Sequence, residues 1–120
     1  MNGPNDWGLP AASLEILRRI LQAEPAVQRA ILFGSRAKGT YKPGSDIDLA
    51  LEGRGLSLDV ISRLARAFEE SPLPYQVDLC WLEAVDHPAL REHIARVGQV
   101  LYERAAGSAG AAGGGRRCAA

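Results

Sequence analysis

Two rhythms of apolar positions run along this chain and divide it into elements. Leu14, Leu17, Ile20 and Leu21 recur at helical spacing, which predicts a helix with one buried face. Ser13 stands ahead of it as an N-cap, Glu15 and Arg19 pair one turn apart, and Pro25 marks its end. Ala26 to Phe33 predicts a first strand, broken at Gly34-Ser35. Ser35 to Lys38 suits one helical turn, and Lys42-Pro43-Gly44-Ser45 is turn chemistry. Asp46 to Glu52 predicts a second strand, and so short a connection makes it an antiparallel partner of the first. After the turn Gly53-Arg54-Gly55, Ser57 can cap a helix with Leu58, Ile61, Leu64, Ala65 and Phe68 as its apolar stripe. Ser71-Pro72-Leu73-Pro74 stops it, and Tyr75 to Leu82 predicts a third strand. Strand, helical crossover and strand make the second and third strands parallel neighbours. Pro88 suits a first helical position, and Leu90, Ile94, Val97 and Leu101 predict a last helix running to about Arg104.

These elements imply an α/β (α+β) fold, a small mixed sheet of about three strands packed with helices. The 120 residues suit one domain. We expect it at 13–104, after a flexible lead-in at 1–12 and before a disordered Ala/Gly-rich tail at 105–120, which has little to bury. Fourteen basic residues balance fourteen acidic ones, so bulk charge gives no support for wrapping nucleic acid. No apolar run approaches a membrane span, and the first residues lack the pattern of a signal peptide. Cys80 and Cys118 lie too far apart in the chain to suggest a disulfide framework. The cytoplasm is the simplest expected compartment.

The chemistry concentrates between Ile31 and Leu51. Aspartates are poor strand formers and costly to bury alone, yet Asp46 and Asp48 alternate with Ile47 and Leu49. Residues two apart in a strand share a face, so the two carboxylates would sit side by side. Like charges so placed repel unless a cation lies between them, and a hard divalent ion such as magnesium prefers oxygen ligands. Asp78, on the neighbouring third strand, would make a third carboxylate. Strands about 4.8 Å apart suit a pair of divalent ions about 3.5–4 Å apart. Gly34 lets a backbone approach phosphate closely, the Ser35 hydroxyl can donate to it, and the following turn offers its positive end. Arg36, Lys38 and Lys42 are either solvated loop charges or contacts to a triphosphate or an acidic partner. Cys80 reads as a small core residue, His87 as a cap, His93 as a helix-surface residue, and Trp7 and Trp81 as packing residues. Other phosphate and metal motifs fail: Gly34 to Thr40 lacks the P-loop lysine, Leu58 replaces the third glycine of a dinucleotide fingerprint, and Leu51 stands where a calcium loop needs glycine.

Gly34-Ser35, ten intervening residues and then Asp46-x-Asp48 resemble the signature of the polymerase-β-like nucleotidyltransferases. GSRAKGTYKPGSDIDLAL is similar to the minimal branch of that superfamily, small domains many of which are antitoxins of HEPN-type toxin–antitoxin modules. The resemblance covers roughly Leu14 to Arg104. It implies the polymerase-β-like fold and transfer of a nucleoside monophosphate, AMP from ATP in the first instance, to a hydroxyl with release of pyrophosphate. By position, Asp46, Asp48 and Asp78 would be catalytic and would hold two magnesium ions. Gly34, Ser35, Arg36 and Lys42 would bind the nucleotide. The implied acceptor is a HEPN-domain toxin, with no template nucleic acid and no membrane involved. A non-catalytic antitoxin that acts by binding, and nucleotide transfer to a small molecule such as an aminoglycoside, stand as alternatives. The oligomeric state is left open.

Overall fold

A computed structural model describes residues 7–104; the expected tail at 105–120 and the first six residues lie outside that range. The elements are helix α1 (Ala11–Gln22), strand β1 (Arg29–Phe33), the single turn α2 (Ser35–Lys38), strand β2 (Ile47–Glu52), helix α3 (Leu58–Glu70), strand β3 (Val77–Trp81), a 3-10 turn (Leu82–Ala84), helix α4 (Pro88–Val97) and strand β4 (Gln99–Glu103). The strands form one mixed sheet in the order β3-β2-β1-β4. β1 runs antiparallel to β2 and to β4, and β2 runs parallel to β3. No helix among the described residues is long and apolar enough to cross a membrane.

Pleating sorts the sheet into an apolar face and a chemical one. Ala30, Leu32, Ile47, Leu49 and Leu51 point to one side and bury against Leu17 and Leu21 of α1 and Val60, Leu64 and Phe68 of α3. The Ser57 hydroxyl caps α3 by accepting from the Val60 amide at 3.2 Å. The α3 stripe runs through Val60 rather than Leu58, which is 72% exposed: the cap fixes the first turn, and two residues on a helix separate Leu58 from the inward side. α4 covers the other face, where Phe33 meets His93 and Ile31 meets Gly98.

The structure departs from the sequence reading at both ends. α1 starts at Ala11 with Pro10 in the N-cap position, and Ser13 is buried inside the first turn rather than capping it. Proline serves there because the N-cap needs only to offer its carbonyl, which accepts from Leu14 at 3.1 Å. The lead-in is core from Trp7 onward. Trp7 and Leu9 are buried, and the Trp7 indole donates to the Gln99 side chain at 3.1 Å, which satisfies its one polar atom. At the other end, the last helix stops at Val97 and 99–103 forms a fourth strand. Gly98 turns the chain: its amide donates to the Ile94 carbonyl at 2.8 Å, and its bare Cα packs close to Ile31. Arg104 then closes the far edge by donating to the carbonyls of Gln22, Glu24 and Val27.

Candidate active site

At the end of β1 the backbone swings through Gly34 at φ 78, ψ −156, and enters α2, which Gly39 ends in the left-handed conformation. Gly34 is glycine for two reasons. Its φ is one that side chains rarely adopt, and a Cβ there would collide with Oδ2 of Asp48. The bare Cα therefore lets the turn lie directly against that carboxylate.

Strand register supplies the rest. Phe33 of β1 pairs with Asp48 of β2, and Asp48 pairs with Asp78 of β3. Direct partners share a face, so Asp48 and Asp78 stand side by side beneath the glycine turn. Asp46 lies just ahead of β2. Asp48 is half-buried, whereas Asp46 and Asp78 are exposed at the rim. Burial pushes the Asp48 carboxyl above its ordinary range. The negative charges of Asp78 and Asp46 and a side-chain hydrogen bond with Asp78 push the same way.

Among the described residues no group of three or more His, Cys, Asp and Glu side chains is drawn together tightly enough to count as a metal cage. The donor set nevertheless fits a hard divalent ion. It consists of carboxylate oxygens, and the like-charge repulsion that adds to burial in raising Asp48 is what a cation between the carboxylates would relieve.

The remaining predicted residues divide. Ser35 is half-buried at the first position of α2, beside Gly34. Lys42 is exposed in the loop ahead of β2, whose turn is closed by its amide donating to the Ser45 hydroxyl at 2.8 Å. Arg36 is not brought to the open side with them. It is 2% exposed. Its guanidinium donates to the Ser45 carbonyl at 3.1 and 3.0 Å and to the Trp7 carbonyl at 3.0 Å, between the rings of Tyr41 and Tyr75. The expectation that Arg36 contacts phosphate gives way to a cation that ties lead-in and loop together, because a planar fork of donors matches carbonyls converging from two segments. Cys80 is half-buried and burial pushes its thiol up, which keeps it protonated. His87 caps α4 as expected, accepting from Leu90 at 3.4 Å.

His93 was expected on the helix surface and lies in the site. Its Nε2 accepts from the Gly34 amide at 3.3 Å, and its ring meets Phe33 edge-on, centroids 6.0 Å apart. The signal was present in the spacing: position 93 is three residues after Leu90 and four before Val97, on the inward side of α4. A groove of about 360 Å³ along the outside of α1, bordered by Glu15, Arg18 and Arg19, belongs to the opposite side of the sheet.

Residues 15–106 match the family model described as polymerase beta, nucleotidyltransferase. The chain is similar to the Haemophilus influenzae protein named probable protein adenylyltransferase MntA, with 38% identity over 99 residues covering 80% of this chain and 84% of that protein. Among solved structures it is similar to a toxin–antitoxin mutant containing MntA, at 28% identity and a TM-score of 0.61 over 75% of this chain and 72% of that one. It is also similar to a toxin–antitoxin with AMP-PNP, at 26% identity and a TM-score of 0.56 over 76% and 73%.

Proposed function

This chain belongs to the polymerase β nucleotidyltransferase family, and from that premise we propose that it is a magnesium-dependent protein adenylyltransferase that modifies, as its antitoxin, a HEPN-domain toxin. The observation that carries the reading is the placement of Asp48 and Asp78 side by side in register beneath a glycine turn that only a bare Cα permits. The similarity to MntA and to toxin–antitoxin complexes supports the acceptor class.

In this reading a hydroxyl oxygen of the partner attacks the α-phosphorus of ATP. The bond from that phosphorus to the bridging oxygen breaks, pyrophosphate leaves, and AMP remains on the partner as a phosphodiester. Asp78, at the exposed rim, orients the incoming hydroxyl and takes its proton. Ser35 holds the triphosphate through its amide and hydroxyl donors, the bare Cα of Gly34 lets the backbone come close to it, and Lys42 reaches it from the loop. Asp46, Asp48 and Asp78 would hold magnesium, which supplies charge neutralisation for the triphosphate and the leaving pyrophosphate. Arg36 serves by holding the loop from which Asp46 projects.

The test is transfer of label from ATP carrying a labelled α-phosphate to the co-expressed partner, with magnesium present. Label on the partner, lost in an Asp46→Ala, Asp48→Ala double mutant, is the expected outcome. Undiminished labelling in that mutant refutes the assignment. Protection of cells by a double mutant that transfers nothing would identify an antitoxin that works by binding instead.

A further inference from the structure

His93 touches the site at the glycine turn. Gly34 sits at a φ of 78, and glycine is the residue with the most backbone freedom. Its carbonyl is tied to α2 by the Lys38 amide at 3.1 Å. Its own amide donates to His93 Nε2 at 3.3 Å, across 59 positions of sequence. Because Nε2 accepts, the neutral ring carries its proton on Nδ1. The edge-on contact with Phe33, at 81° between the planes, fixes how the ring is turned. Phe33 is in turn the direct strand partner of Asp48, and Gly34 lies against Oδ2 of the same carboxylate. One contact chain thus runs from α4 through His93 and Gly34 to Asp48.

We propose that His93 is a positioning residue for nucleotidyl transfer: by accepting from the Gly34 amide it fixes the glycine turn against Asp48 and so sets where that carboxylate stands relative to the nucleotide. The proposal rests on the reading given under the proposed function. His93 acts here through Gly34 and Phe33, the two residues it contacts, and so on geometry. Small displacements of a reacting group cost about a hundredfold per ångström in rate, and a glycine released from its only amide partner among the described contacts is free to shift by a fraction of that.

Two variants separate the acceptor atom from the shape of the ring. His93→Leu keeps an apolar group against Phe33 and removes the acceptor. His93→Gln offers a carbonyl oxygen at a similar reach. In the transfer assay with the partner, His93→Leu is expected to lower kcat by about tenfold or more while KM for ATP moves by less than about threefold. His93→Gln is expected to recover most of the loss, with melting curves confirming that both fold. Wild-type kcat in His93→Leu, or a His93→Gln as impaired as His93→Leu, overturns the proposal. A second measurement needs no turnover: magnesium titrated into labelled protein, followed by the backbone amide resonances of Gly34 and Asp48. His93→Leu is expected to need severalfold more magnesium for the same shift, and an unchanged midpoint overturns the proposal. If the wild-type protein transfers no nucleotide, the proposed function fails, and this titration still decides the role of His93.

Discussion

Asp48 has the most informative environment of any single side chain in the molecule. Its folded-state pKa is raised, chiefly by burial and then by the negative charge of Asp78 and Asp46. A raised carboxyl means that the folded state binds this proton more tightly than the unfolded chain. The cost is therefore absent below the ordinary value of 3.8 and accrues as pH rises from there through the folded pKa. Asp48→Asn is accordingly expected to raise the melting temperature by a few degrees at pH 7 in the presence of EDTA, and to leave it unchanged in acid below that window. Thermal melts across pH check this. Millimolar magnesium is expected to stabilise the wild type and not the variant, since a ligand that binds only the folded state stabilises it by mass action. The aspartates were legible in the sequence because a carboxylate inside a strand pattern is conspicuous. Arg36 departs from its sequence expectation for an equally physical reason. A basic residue beside a glycine turn has the right charge for phosphate, and nothing local reveals that the carbonyls of Ser45 and Trp7 will converge on it.

Among the elements, β4 shows what periodicity alone cannot decide. Leu101 follows Val97 by four residues, so it extends the helical stripe of Ile94 and Val97. It is also flanked by Val100, which is 46% exposed, and by a half-buried Tyr102, which is the alternation of a strand. Gly98 separates the two outcomes. A Cβ at this position would press into Ile31 Cγ2 and the Ile94 carbonyl. Gly98→Ala is therefore expected to destabilise the protein by about 1–3 kcal/mol through overpacking where α4 passes into β4, read as a lower urea midpoint with an unchanged slope. β1, β2 and β3 fall inside the three stretches the sequence predicts, because their apolar runs are bounded by Gly34-Ser35, Pro43-Gly44 and Pro72-Leu73-Pro74. The single turn α2 and the caps Ser57 and His87 were readable from local chemistry as well.

At the scale of the whole molecule, the sheet separates stability from chemistry. Its α1–α3 side holds the large buried side chains, and its α4 side holds the carboxylates and the glycine turn. Arg36 joins distant parts of this arrangement by holding the Trp7 carbonyl from the lead-in and the Ser45 carbonyl from the loop before β2. Lysine carries the same charge without the planar fork. Arg36→Lys is expected to destabilise by about 2–3 kcal/mol, since buried carbonyls lose their donors, and to lower transfer further by loosening the loop that carries Asp46. Urea melts and labelling of the partner measure the two effects separately. The partnership of Asp48 with Asp78 has one more consequence. It depends on counting residues along two parallel strands, and that count has a parity. An extra residue at the exposed Arg54-Gly55 or among Ser71-Pro72-Leu73-Pro74 leaves the parity intact, whereas one inserted between Val77 and Asp78 inverts every later position of β3. The carboxylate would then face α3 and Leu79 would face water, so the evolutionary room for gain and loss of residues lies in the connections and not in the ladder.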